Sequence, residues 1–263
     1  TTIQAAVDAA ASGDEIWVAQ GTYTATTTGE DPSVVVLKAG ISLYGGFTGS
    51  ETAREERDWN IHKTIIDGEG QRRGIEVDGI DCFVDGFILQ NGKAEYGAGM
   101  YAGTATNCTF ANNTAISGGG MYYGDAYQCT FVNNTASEEG GAMSSVRVFD
   151  SIITGNTALY GGGLADYIGG ISVAINCVFS DNIAFKGGGV LSSFSAYCTF
   201  VGNTAAHTGG GTYAGTAMRC IFWGNGVQDT FETDVTYSCL PIHTYGAGNI
   251  VAEFADAGIV ADY

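Results

Sequence analysis

The chain has 263 residues, of which 41 are Gly and 2 Pro, and it carries 28 Asp and Glu against 10 Lys and Arg, a net charge of -18. The 45% hydrophobic fraction excludes a disordered chain despite the Gly content, and collagen is excluded because Gly does not recur every third residue. No apolar run approaches the ~18 residues that span a bilayer, so no membrane insertion is expected, and the acidic balance repels phosphate backbones and excludes nucleic acid as a partner.

In chain order, Thr2 is placed to cap a helix over residues 3–11, which Ser12 and Gly13 end. The opening at Thr1 reads as a mature chain whose targeting segment has been removed. Strand-like runs follow at 15–19, 34–37, 41–44, 64–66 and 74–77. The charged stretch 50–60 lacks strand character and reads as a loop leaving the body of the fold.

From residue 86 onward one unit repeats. It is Cys-x-Phe-x-x-Asn-x-Ala, then a Gly block and an apolar residue. Copies begin at Cys108, Cys129, Ser151, Cys177, Cys198 and Cys220, with Phe110, Phe131, Ile153, Phe179, Phe200 and Phe222 two residues later. The Asn series runs 91, 113, 134, 156, 182, 203, 225, a period near 22 with one spacing of 26. That longer spacing places a bulge near 166–170. A period of this length is too short for two packed helices and fits three short strands and three turns. Stacked coils then bring like residues above one another at about 4.8 Å. The Phe form an apolar column, the Cys a column of small core thiols, and the Asn a hydrogen-bonded ladder at a turn. The Gly blocks supply turns with positive φ. Seven Cys is an odd number. Bridges such as Cys108–Cys129, Cys198–Cys220 or Cys220–Cys239 compete with the reading of buried free thiols, which is preferred.

The opening Ile3-Gln4-Ala5-Ala6-Val7, with Gly13-Asp14-Glu15-Ile16-Trp17-Val18 and Gly21-Thr22-Tyr23, resembles the start of pectin-lyase-like right-handed parallel β-helix proteins. The Phe-x-x-Asn and Gly-Gly-Ala-Met copies resemble the repeats of polymorphic outer membrane proteins. The resemblance implies a secreted or cell-surface β-helix, often an adhesin. The first family also implies an enzyme: its lyases use Asp-bound Ca²⁺ and a basic residue beside the cleft, and its hydrolases use clustered Asp on one face. Asp78, Asp81 and Asp85 are the densest acidic group and the candidate Ca²⁺ ligands, against the alternative of a solvated acidic face. Arg72 and Arg73 lie near them and read more simply as surface ion pairs. His62, His207 and His243 fall in no metal spacing. Tyr101, Tyr122 and Tyr213, at equivalent coil positions, are half-buried strand residues or a sugar-binding row. Asn107, Asn112 and Asn133 head glycosylation tripeptides.

The expected fold is one all-β domain: a single-stranded right-handed parallel β-helix of about ten or eleven coils with a short N-terminal capping helix. Its parts are the cap 1–13, irregular first coils 14–85 with the loop 50–60, regular repeats 86–226 and C-terminal coils 227–263. The uniform repeat, without a local break of converging charges, points to a non-enzymatic structural or adhesion protein, extracellular or at the cell surface. No catalytic residue or cofactor beyond the Ca²⁺ is assigned. The ends present strand edges for end-to-end self-association into filaments. The alternative is a polysaccharide lyase or glycosidase, with carbohydrate as the partner.

Overall fold

The computed structural model describes residues 2–25, 33–166, 172–226 and 228–240, and the backbone alone of 250–255 and 258–261. Thr2 accepts a hydrogen bond from the Ala5 N–H and caps a helix, Ile3–Ala9, two residues shorter than expected because Ala10 is already extended. Its buried Ile3 and Val7 join the interior and cover the first coil.

Beyond the helix, the chain winds as a parallel β-solenoid. Each regular coil contributes a long strand such as Met121–Tyr127, a three-residue strand such as Thr130–Val132 and a third run such as Thr135–Glu139. Equivalent strands of successive coils pair in parallel: Thr109 lies against Thr130, Phe110 against Phe131, Ala111 against Val132. About eight coils keep the spacing near 22 residues. The number falls below ten because the early coils are long. Gly21 pairs with Thr64, so the 23–33 connection and the loop 48–63 together lengthen one coil. Among the described residues no helix is long and apolar enough to cross a membrane.

The alternation of each strand sends one face inward. Phe110 and Phe131 stack at 4.5 Å, Phe179 and Phe200 at 5.0 Å, Phe200 and Phe222 at 4.8 Å, with Ile153 between the two groups. Cys108, Cys129, Cys177, Cys198 and Cys220 are buried and free, so the preferred thiol reading stands and the disulfide candidates do not form. The Cys198 thiol is pushed up to about 12, first by its hydrogen bond to Cys177 and then by burial. Such a group stays protonated and unreactive at neutral pH.

The Asn ladder is continuous over six residues. Asn113 Nδ2 donates to Asn134 Oδ1 at 2.9 Å, and the pattern repeats through Asn156, Asn182 and Asn203 to Asn225. Each amide also donates to the backbone carbonyl of the Phe or its equivalent in the preceding coil, as Asn156 does to Phe131 at 3.0 Å. Asn91 departs from the series. The register pairs Ile88 with Thr109, which sets Asn91 over Asn112, and Gly92 takes the ladder position, donating its N–H to Asn113. The Asn91 side chain turns outward to Asp67.

The Gly blocks serve two purposes rather than the one expected. Gly118 has φ 63, whereas at Gly119 a Cβ would sit 2.3 Å from the Gly141 carbonyl of the next coil. The first Gly makes the turn; the second lets the coils approach. Gly119→Ala is therefore expected to lower stability by about 1–3 kcal/mol, measured by urea unfolding, because backbone cannot move aside as a side chain can.

The bulge at 166–170 lies outside the described residues except for Asp166, whose Oδ2 accepts the Ser172 N–H at 3.0 Å. At the C-terminal end, strand Ile250–Ala255 continues the parallel sheet and then pairs antiparallel with Gly258–Ala261. That hairpin makes Gly258–Ala261 the last strand of the sheet among the described residues.

Candidate functional site

The loop 48–63 leaves the solenoid after strand Ser42–Phe47 and is built by its own carboxylates. Glu51 accepts the N–H groups of Thr48, Gly49 and Ser50; Glu56 accepts that of Thr52; Asp58 accepts those of Asn60 and Ile61. The Thr48 N–H first, and the neighbouring donors after it, hold the Glu51 carboxyl down to about 2. A depressed carboxyl contributes order above its unfolded pKa and loses it as pH falls through the folded value. The Glu51 side-chain carbon shift in NMR is expected to titrate near pH 2, with the Thr48 and Gly49 amide signals moving with it.

The loop folds back onto the coil surface instead of extending away from it. Trp59 seats against Gly86, where a Cβ would lie 2.9 Å from the Trp59 Cβ. The equivalent corner of the next coil carries Asn107, so the missing side chain makes the seat. Arg57 lies beneath, its guanidinium 4.7 Å from the Trp59 ring centre and 5.1 Å from that of Tyr44. It pairs with Asp85 Oδ2 at 2.9 Å, with the two side chains only 8% and 11% exposed. Arg57 Nη1 also donates to the Gly45 and Asp85 carbonyls, and Asn107 Nδ2 donates to Asp85 Oδ1 at 3.0 Å. A buried pair needs such extra hydrogen bonds to offset its desolvation.

Above this pair opens a cavity of about 390 Å³, walled by Tyr44, Arg54, Glu55, Trp59, Phe83 and Asp85. Arg54 sits over the Tyr44 ring at 4.7 Å and pairs with Glu15, its side chain 39% exposed. On the far side of Trp59 a second cavity of about 340 Å³ is lined by Asn60, Lys63, Asn107, Gln128 and Thr130. Seven of the ten Lys and Arg fall between residues 38 and 93, so an acidic protein concentrates its cations around this end. Aromatic walls with a reachable guanidinium can hold a sugar ring and neutralise a carboxylate on it.

The carboxylates chosen as Ca²⁺ ligands do not converge. Asp78 is exposed at the end of strand Arg73–Asp78, opposite Lys38; Asp81 is exposed in a left-handed turn; Asp85 is buried and engaged by Arg57 and Asn107. Among the described residues no three His, Cys, Asp or Glu side chains gather as a metal site. Arg73 pairs with Glu76 at 2.6 Å. His62 meets Gln20, His207 lies beside Phe185, and His243 is outside the described residues. Asn112 and Asn133 are exposed at corners, whereas the Asn107 amide is committed to Asp85. Arg57, Trp59 and Tyr44 were not singled out by the sequence. Two Arg and a Trp inside an otherwise polar insertion were the available signal.

No protein-family model matches the chain, and no curated protein matches it. Solved structures do resemble it in shape. One is a mannuronic-acid-specific polysaccharide family 6 lyase from the human gut microbiota, at 12% identity and a TM-score of 0.48, covering 90% of this chain and 61% of that one. A PL6 alginate lyase in complex with a trisaccharide shares 14% identity at TM-score 0.44, covering 94% of this chain and 56% of that one. An alginate lyase in complex with G6 shares 13% identity at TM-score 0.41, covering 94% of this chain and 60% of that one. The chain thus spans about three fifths of the length of these structures. At such identities the likeness concerns the parallel β-solenoid fold. Because all three structures are polysaccharide lyases, the expectation of a non-enzymatic adhesion or filament protein is corrected. The uniform repeat behind that expectation is a property of the scaffold, and the candidate site described above is in an insertion outside the repeat.

Proposed function

We propose that this chain is the β-solenoid of a polysaccharide lyase acting on a polymer of acidic sugars. The observation that carries the reading is the cavity beneath the 48–63 loop, where Arg54 stands half-exposed beside Tyr44, Phe83 and Trp59. In such a reaction a base removes the proton on the carbon next to the sugar carboxylate. The electron pair forms a carbon–carbon double bond as the glycosidic C–O bond breaks. The departing oxygen takes up a proton and becomes the new hydroxyl of the second fragment. Arg54 pairs the carboxylate and stabilises the charge that develops on it. Phe83 and Trp59 take the sugar faces, and Arg57 holds the wall. Asp85 is engaged by Arg57, so the base is assigned to Tyr44 or to Glu55, which lies 4.0 Å from Arg54 on the exposed side of the wall. A glycosidase would need two available carboxylates about 5–10 Å apart, and the ion pair of Asp85 disfavours it. An extracellular or cell-surface location belongs to the same proposal, since a polymer is met outside the cell.

The test is incubation with polyuronates, with and without added Ca²⁺, following the ultraviolet absorbance of the new conjugated double bond. The expected result is absorbance growth that Arg54→Ala reduces about 10²-fold or more, as for loss of one oxyanion-stabilising donor. Tyr44→Phe and Glu55→Gln then identify the base. New reducing ends without the chromophore would replace the lyase with a glycosidase, and no cleavage of any acidic polymer would remove the proposal.

A further inference from the structure

A second cluster of aromatic side chains lies where the third run of a coil turns through its Gly block into the long strand. Tyr122 is its hub. The Tyr122 ring is 5.1 Å from Tyr96, 5.8 Å from Tyr101 and 5.7 Å from Tyr123. Tyr101 and Tyr122 are paired neighbours on adjacent strands, whereas Tyr96 comes from the other side of the turn. The turn glycines make room: a Cβ on Gly97 or Gly118 would come to 3.0 or 3.1 Å from the Tyr122 Cβ. Tyr123 is 58% exposed and Tyr96 38%, so rings from both sides of the turn reach solvent.

The charge around these rings is negative. Glu95 first, then Glu138 and Glu139, raise the Tyr96 phenol above its ordinary value. Burial, then Glu138 and Asp166, raise the Glu139 carboxyl. Arg73 already shows what the cluster attracts. Its guanidinium lies 5.2 Å from the Tyr101 ring centre and is tied to Glu76 and the Tyr96 carbonyl. The face of an aromatic ring attracts cations through its quadrupole, and flanking carboxylates add to that attraction.

We infer that Tyr96, Tyr122 and Tyr123, with Glu95 and Glu138, form a binding site for an organic cation bearing a protonated amine. The site shares no residue with the Arg54 cavity, and its carboxylates repel an acidic polymer. It stands or falls independently of the lyase activity.

The test titrates the intact protein with a free-amine glucosamine oligomer, its N-acetylated counterpart and spermidine, following the tyrosine ring signals by NMR. The expected result is binding of the amines, with no binding of the acetylated oligomer. Tyr123→Ala and the pair Glu95→Gln/Glu138→Gln each weaken it about tenfold. Tyr123 is exposed enough that its removal leaves the fold intact, and circular dichroism checks this. Binding of the amino-sugar oligomer identifies a polymer as the source of the amine, and binding of spermidine alone identifies a small polyamine. Equal binding of the acetylated oligomer, or amine binding unchanged in both variants, overturns the inference.

Discussion

Asn156→Ala is expected to lower the stability of the solenoid by about 3–5 kcal/mol, because each buried polar group left without a partner costs about 1–3 kcal/mol. Asn156 Oδ1 accepts both the backbone N–H and the side-chain amide of Asn134, and Asn156 Nδ2 donates to Phe131 O, Thr154 O and Asn182 Oδ1. Alanine leaves the Asn134 N–H and amide without their acceptor, in a position closed to water. The loss falls in the middle of the ladder, so the coils on either side lose their shared column of hydrogen bonds. Thermal and urea unfolding measure it, with Thr204→Ser, on the exposed face, staying within about 0.5 kcal/mol of the parent. A small effect at Asn156 would mean that water enters the turn and replaces the amide.

Arg57→Ala is expected to cost a similar amount, about 3–5 kcal/mol, and to abolish turnover in the proposed lyase assay. The cost comes from Asp85, which stays buried with its strongest partner removed. Arg57 also anchors the loop through the Gly45 and Asp85 carbonyls, so the walls formed by Arg54 and Trp59 lose their support. The double variant Arg57→Met/Asp85→Leu separates the two effects. Replacing a buried pair by apolar groups of similar size is often neutral, so stability should return to near the parent value. Activity should not return if Arg57 positions the cavity. Recovery of both would make Arg57 a structural residue only.

Much of the fold was legible because a solenoid repeats its environment. Phe110, Phe131, Phe179, Phe200 and Phe222 meet the same surroundings coil after coil, so the requirement on each is written several times over. The ladder was readable for the same reason, except at Asn91. There the pairing of Ile88 with Thr109 decides which residue faces inward, and a shift of one position moves a side chain to the other face. The site was hardly legible. Asp78, Asp81 and Asp85 are close in sequence, but a strand end, a turn and a buried strand position send them apart. Arg57 and Asp85 come together only because the loop folds back over Gly86.

The sequence by itself therefore determined the period, the inward Phe and Cys columns, the capping helix and the concentration of cations toward one end. These depend on local spacing and on contacts between equivalent positions. Only the tertiary structure decided that the charged insertion returns to the solenoid, buries an ion pair and opens a cavity beside Trp59. Those contacts join residues that share no period, and the energy that holds them comes from desolvated charge and a close fit against glycine, neither of which leaves a pattern along the chain.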